Sequence, residues 1–181
     1  AVADETASAT VAPSLTKAEV ASILSDSGTV KASASWAPIL GDANVTGTEQ
    51  VRVERRVDTS GTQASSNAYF LGSPCTGTSG LLPASASADA YIVNLNSGSG
   101  NVKANITSAS NSSNADAQYA IGVLSMENDW RVESAANAGY RYIKLDGVHP
   151  EQGDTANARA AAASAVYPFH NEMKAFVSST A

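Results

Sequence analysis

Residues 55–62 read Arg-Arg-Val-Asp-Thr-Ser-Gly-Thr, and they gather the side chains best suited to chemistry in this chain. Arg56 offers a forked cation that fits an oxyanion. Asp58 can hold that arginine and limit excess positive charge. If a helix starts at Ser60-Gly61-Thr62, its first backbone N–H groups and the positive end of its dipole favour an anion. Gly61 would let a ligand approach the backbone, and the hydroxyls of Ser60 and Thr62 add donors. The same residues fit a plainer role, in which Ser60 only caps the helix and Arg56 only pairs with Asp58.

Catalysis has less support. A nucleophilic Ser60 needs a base. The chain has two histidines, His149 and His170, both far off in sequence and expected in loops or on the surface. Ser-Gly-Thr is not the Gly-x-Ser-x-Gly of a nucleophile elbow. The histidines lack metal-ligand spacing, and one cysteine cannot build a zinc site. The acids are scattered, with no pair that suggests a glycosidase. A non-enzyme without cofactor is expected. Cys75 is the single cysteine, so no internal disulfide can form. It is expected as a half-buried thiol, the alternative being an intermolecular bridge or a reactive group.

The elements that must position the loop can be read around it. "EQVRVERRV" alternates, with Val51, Val53, Arg55 and Val57 on one face and Arg52, Glu54 and Arg56 on the other, which predicts a strand. A helix is predicted from the Ser-Gly-Thr turn through about Leu71. Upstream, Thr16 and Glu19 form a capping box, with Leu15 against Val20 as staple. Val20, Ile23 and Leu24 make the buried stripe of that helix, and Gly28 is expected to end it. Trp36 is expected to pack as an anchor. "GSPCTGTSGLLPASASADA" reads as loop, "AYIVNLN" as strand and "GNVKANITSA" as a short helix. "YAIGVLSM" suits a strand buried on both faces. "GYRYIKLDGV" alternates again, and "TANARAAAASAVY" is Ala-rich and helical. Tyr119, Tyr140, Tyr142 and Tyr167 are expected to pack in the core or at its rim rather than stack on sugars. Strands alternating with helices predict an α/β sheet with helices on its faces.

Composition narrows the setting. The 181 residues suit one domain, charged residues are 15% and the formal net charge is -6. No basic stripe suits nucleic acid, and no apolar run approaches the roughly 20 residues of a membrane span. The start "AVADETASAT" reads like a mature N-terminus after signal-peptide removal, so an extracellular or periplasmic location is expected. Sequons at Asn44, Asn105 and Asn111 are expected by chance in so Asn-, Ser- and Thr-rich a chain.

Four segments, in order, resemble the periplasmic phosphate-binding proteins of ABC transporters. They are "SLTKAEVASILSDSG…W", "RVDTSGTQ", "YAIGVLSMEN" and "YIKLDGVHP…YPF". The resemblance covers most of residues 14–170 and is to the second lobe of that clamshell only. It implies an α/β lobe with a mixed, mostly parallel sheet flanked by helices over 14–181. It also implies that Arg56, Ser60, Gly61 and Thr62 stand where family members contact phosphate, with Asp58 where the family's acid partners the arginine. Residues 1–13 are expected to be an extension that docks on a neighbour or donates a strand to it. Two functions follow. One is weak binding of phosphate or another oxyanion at a half-site. The other is a structural role in an extracellular filament or surface assembly built by self-association, without nucleic acid or a membrane span.

Overall fold

The computed structural model describes residues 14–25, 51–76, 86–88, 91–110, 120–151 and 155–171. The expectations for residues 1–13, Gly28, Trp36, Asn44, Asn111 and Tyr119 lie outside these residues. In chain order the elements are β1 (Ser14–Leu15), α1 (Lys17–Leu24), β2 (Val51–Arg56), α2 (Gly61–Leu71) and β3 (Ala86–Ala88). They continue with β4 (Tyr91–Asn96), α3 (Ser99–Ser110), β5 (Ala120–Gly122), β6 (Lys144–Leu145) and α4 (Thr155–Ala163). Among the described residues the fold is mixed α/β, with four helices, a four-stranded sheet of order β3-β4-β2-β5 and a two-stranded sheet β1-β6. Strand β2 runs parallel to both β4 and β5, β1 runs parallel to β6, and β3 is antiparallel to β4.

Helix α1 starts as its sequence dictates. Thr16 Oγ1 accepts the Glu19 N–H at 3.2 Å, and Glu19 Oε2 accepts the Thr16 N–H at 2.7 Å. The Thr16 hydroxyl also donates to Glu19 Oε2 at 2.9 Å, and the bonds from the Thr16 N–H and hydroxyl hold the Glu19 carboxyl below its ordinary value. Leu15, Val20, Ile23 and Leu24 are buried together with Val51, Val53, Val93 and Leu145. Each such side chain taken from water contributes about 1.5–3 kcal/mol. Tyr69, Phe70 and Phe169 lean on this core with ring centroids 4.9–5.1 Å apart, and Lys17 Nζ sits 4.1 Å above the Tyr69 ring. A tight turn after β6 closes the other side. Asp146 and Gly147 have φ of 49° and 83°, a region that Gly enters freely and Asp tolerates.

The sheet is covered on both faces. The odd positions of β2, Val51 and Val53, face the core with α1, and α2 packs on α1 and β2. The even positions face α3, which packs on β2, β4 and β5. Gly122 of β5 permits that approach. A Cβ there would meet Val102 Cγ1 at 2.9 Å and the Glu54 carbonyl oxygen at 3.2 Å.

Three expectations need correction. Among its described residues "YAIGVLSM" supplies only the three of β5, half-buried rather than buried on both faces, because β5 is the outer strand of the sheet among the described residues. "GYRYIKLDGV" yields only β6, since Tyr140 to Ile143 pair with no strand among the described residues. The segment read as loop after Gly72 contains β3.

Residues 125–151 are held largely by side chains instead. Arg131 bonds both oxygens of Glu151, at 3.0 and 2.9 Å, and Asp129 at 2.9 Å. The Arg141 guanidinium lies 3.5 Å from the Trp130 ring centroid, and the Tyr142 hydroxyl lies within bonding distance of the Ser125 and Asn128 carbonyls. Tyr140 is buried, Tyr142 half-buried, and Tyr167 packs on the core, in line with their expected packing role.

Candidate functional site

The loop after β2 forms as the sequence predicts. The Ser60 N–H donates to the Val57 carbonyl at 2.9 Å, closing the turn. Ser60 is the N-cap of α2, and its Oγ accepts the Gln63 N–H at 3.4 Å. The first bond of the helix proper runs from the Ala64 N–H to the Ser60 carbonyl. The amides of Gly61 and Thr62 therefore precede the helix's own ladder. A Cβ on Gly61 would meet nothing within 4 Å, so the space beside that backbone is open.

Arg56 ends β2 and projects on the α3 face. Its Nη1 donates to Ser99 Oγ at 2.8 Å and its Nη2 to the Ser97 carbonyl at 3.3 Å. Its Nε is buried with no partner among the described residues. The guanidinium thus bridges the ends of parallel strands β2 and β4, where α2 and α3 begin. Crevices outside the carboxyl ends of parallel strands are where α/β sheets take ligands.

The expected pairing of Asp58 with Arg56 is corrected. Asp58 forms its ion pair with Arg55. Successive side chains leave a strand on opposite faces, so one acid in the loop reaches only one of two adjacent arginines. Arg55 is buried, while the Asp58 side chain is 78% exposed. Four of the five expected residues, Arg56, Ser60, Gly61 and Thr62, lie along one strand-to-helix junction. Asp58 sits in the same turn but answers the other arginine.

Electrostatically, α2 contrasts with α1. The N-terminus of α1 meets two carboxylates of this chain, Glu19 in the capping box and Asp146, whose Oδ1 accepts the Lys17 N–H at 3.1 Å. No residue in the first turn of α2 is acidic, and the nearest loop acid is taken by Arg55. The positive end of α2 is thus left without a carboxylate of its own helix, and an anion is favoured at such an end.

Three contributors escaped sequence reading. Gln63 Oε1 accepts the Arg56 N–H at 2.9 Å, tying the first turn of α2 to the strand end. The Ser60-x-x-Gln63 spacing of a capping box was the available signal. Ser97 and Ser99 hold the Arg56 guanidinium, and only the register that places Arg56 beside Asn96 brings them near.

Neither histidine is hydrogen-bonded to Ser60, whose Oγ accepts the Gln63 N–H. His149 lies in a loop as expected, but it is buried rather than on the surface. Its Nδ1 accepts the Glu151 N–H at 3.2 Å and its Nε2 faces the Tyr142 carbonyl at 3.0 Å, so Nε2 carries the proton. Burial lowers its basicity below the ordinary histidine value. His170 Nδ1 is bonded to the Tyr167 carbonyl at 2.9 Å. Cys75 is exposed and free, not half-buried. Among the described residues no cluster of metal-ligating side chains is found, and no helix is long and apolar enough to cross a membrane. Comparison of the chain with known protein families, curated proteins and solved structures finds no match.

Proposed function

We propose that this chain is an exported, non-catalytic protein resembling one lobe of the periplasmic phosphate-binding proteins, and that it binds phosphate or a related oxyanion weakly at the β2–α2 junction. The observation that carries this reading is the N-terminus of α2. It has no acid in its first turn, open space beside Gly61, and the Arg56 guanidinium held at the adjoining strand end. Arg56 supplies the forked cation, Gly61 and Thr62 supply backbone N–H groups, and the hydroxyls of Ser60 and Thr62 complete the donor set. The described residues supply one wall. An anion held on one wall keeps much of its hydration, and its attraction is screened by salt. A dissociation constant of roughly 1 mM, about -4 kcal/mol, is the expected scale. Calorimetry at low ionic strength tests the reading. Wild type should give a binding isotherm, and Arg56→Ala should weaken it about tenfold, the scale of a charge-assisted hydrogen bond. No heat from wild type at millimolar phosphate would overturn it.

A second reading is a structural subunit of an extracellular filament or surface assembly. The sheet edge favours it, because β5 is a short, half-buried outer strand with no further strand beside it among the described residues. Open edges invite pairing with another chain. Sedimentation and electron microscopy of wild type and of a deletion of residues 1–12 test it. A wild type that stays monomeric at high concentration, or polymers unchanged by the deletion, would count against it.

A further inference from the structure

We infer that Glu54 is the positioning residue of the Arg56 loop: its buried carboxylate seats α3 on the sheet and thereby decides where the guanidinium of Arg56 is held. The inference deepens the anion-binding reading and rests on it. Glu54 is 0% exposed. Its Oε1 accepts Nε of Arg52 and Nδ2 of Asn94, both at 2.8 Å. Its Oε2 accepts Nδ2 of Asn96 at 2.9 Å and Nδ2 of Asn105 at 3.0 Å. A carboxylate offers about four acceptor sites, and here all are filled. The donors come from β2, β4 and α3, so one side chain ties both strands to the helix above them. Asn105 also donates to Asn96 Oδ1 at 2.9 Å, which locks the helix to β4 a second time.

Arg56 lies two residues beyond Glu54 and so on the same face of β2. It bonds Ser99, the first residue of α3, and the carbonyl of Ser97 just before it. Glu54 and Arg56 therefore grip one helix at two points, Asn105 and Ser99. Arg56 has no carboxylate within ion-pair distance among the described residues. What aims it is the pair of oxygens that α3 and the β4–α3 turn present. If α3 shifts, those acceptors shift with it, and the guanidinium moves with them away from its place at the end of β2. A carboxylate serving only the stability of the sheet would not require this link to Arg56.

The test is a double-mutant cycle read by phosphate calorimetry. Asn105→Ala loosens the Glu54 grip on α3 and leaves every proposed anion donor in place. Ser99→Ala removes an acceptor of Arg56. Each is expected to weaken phosphate binding about fivefold, the scale of one lost hydrogen bond. Because both act through Arg56, the double variant should be little weaker than either single one. Asn105→Gln keeps an amide donor and should recover most of the affinity; it also stands in if the alanine variant does not fold. Additive losses, unchanged affinity in Asn105→Ala, or a glutamine variant as weak as the alanine one would overturn the inference. If wild type shows no phosphate binding at all, the anion reading falls, and the positioning role is read at Arg56 itself. Its side-chain Nε–Hε nuclear magnetic resonance signal should then move in Asn105→Ala. A signal that stays in place overturns the inference.

Discussion

Glu54 is the most enclosed charge in the described structure, and its cost is met by four donors rather than by burial alone. Removing it leaves Arg52 and three asparagine amides facing a void. Glu54→Ala is therefore expected to lower stability by about 3 kcal/mol, the scale of breaking a buried charge pair, read as the urea midpoint. Asp58→Asn is the contrasting case. Its carboxylate is largely exposed while its partner Arg55 is buried, so the pair falls between a surface and a buried one, and a loss of about 1–2 kcal/mol, smaller than for Glu54→Ala, is expected in the midpoint. His149 predicts a pH effect. Burial holds its folded-state basicity below the ordinary value, so the unfolded chain takes up the proton first. The stability it contributes is complete above about pH 6.5, the unfolded value, and is lost as pH falls below it until the folded ring also titrates. Protonating Nδ1 would also break its bond from the Glu151 N–H. In His149→Gln the stability slope between about pH 7 and pH 5 should flatten.

Two helices begin with a hydroxyl cap and end up in different electrostatic states. Thr16 and Glu19 are close in sequence, so the α1 capping box is legible without a structure. Thr16→Ala should cost about 1 kcal/mol, measured by thermal unfolding. The cap of α2 is equally legible at Ser60, but that its first turn stays free of carboxylates depends on where Asp58 turns. Helix α3 shows how far a short sequence reading reaches. "GNVKANITSA" marks a helix, yet its polar asparagines conceal that Asn105 faces inward. This placement also removes Asn105 from consideration as a surface sequon in the folded protein, since its amide is committed to Glu54 and Asn96. The seat of α3 depends on Gly122. Gly122→Ala would press a methyl against Val102 and the Glu54 backbone, at an expected cost of about 1–3 kcal/mol by overpacking, visible in the urea midpoint. Strands fared less well than helices. β5 is shorter than its apolar run suggests and β6 shorter than its alternating pattern suggests, because a strand exists only where a partner backbone lies alongside.

At the scale of the whole molecule, the proposed anion site carries its own salt signature. The net charge of -6 opposes an incoming anion, and the local attraction to Arg56 reaches only about 8 Å at physiological ionic strength. Phosphate binding should accordingly weaken several-fold as salt rises from about 10 mM to about 150 mM, followed by calorimetry. The sequence by itself determined the α/β class, the strand-to-helix junction at residues 55–62, and the capped starts of α1 and α2. These rest on periodicity and on residues a few positions apart, where local physics suffices. Only the tertiary structure decided that Asp58 answers Arg55, that Arg56 leans on Ser97 and Ser99, and that Glu54 is a buried hub rather than one charge on a strand's polar face. Those outcomes depend on the register of β2 with β4 and on α3 covering the even face of the sheet. Such long-range pairing leaves no period in the chain to read.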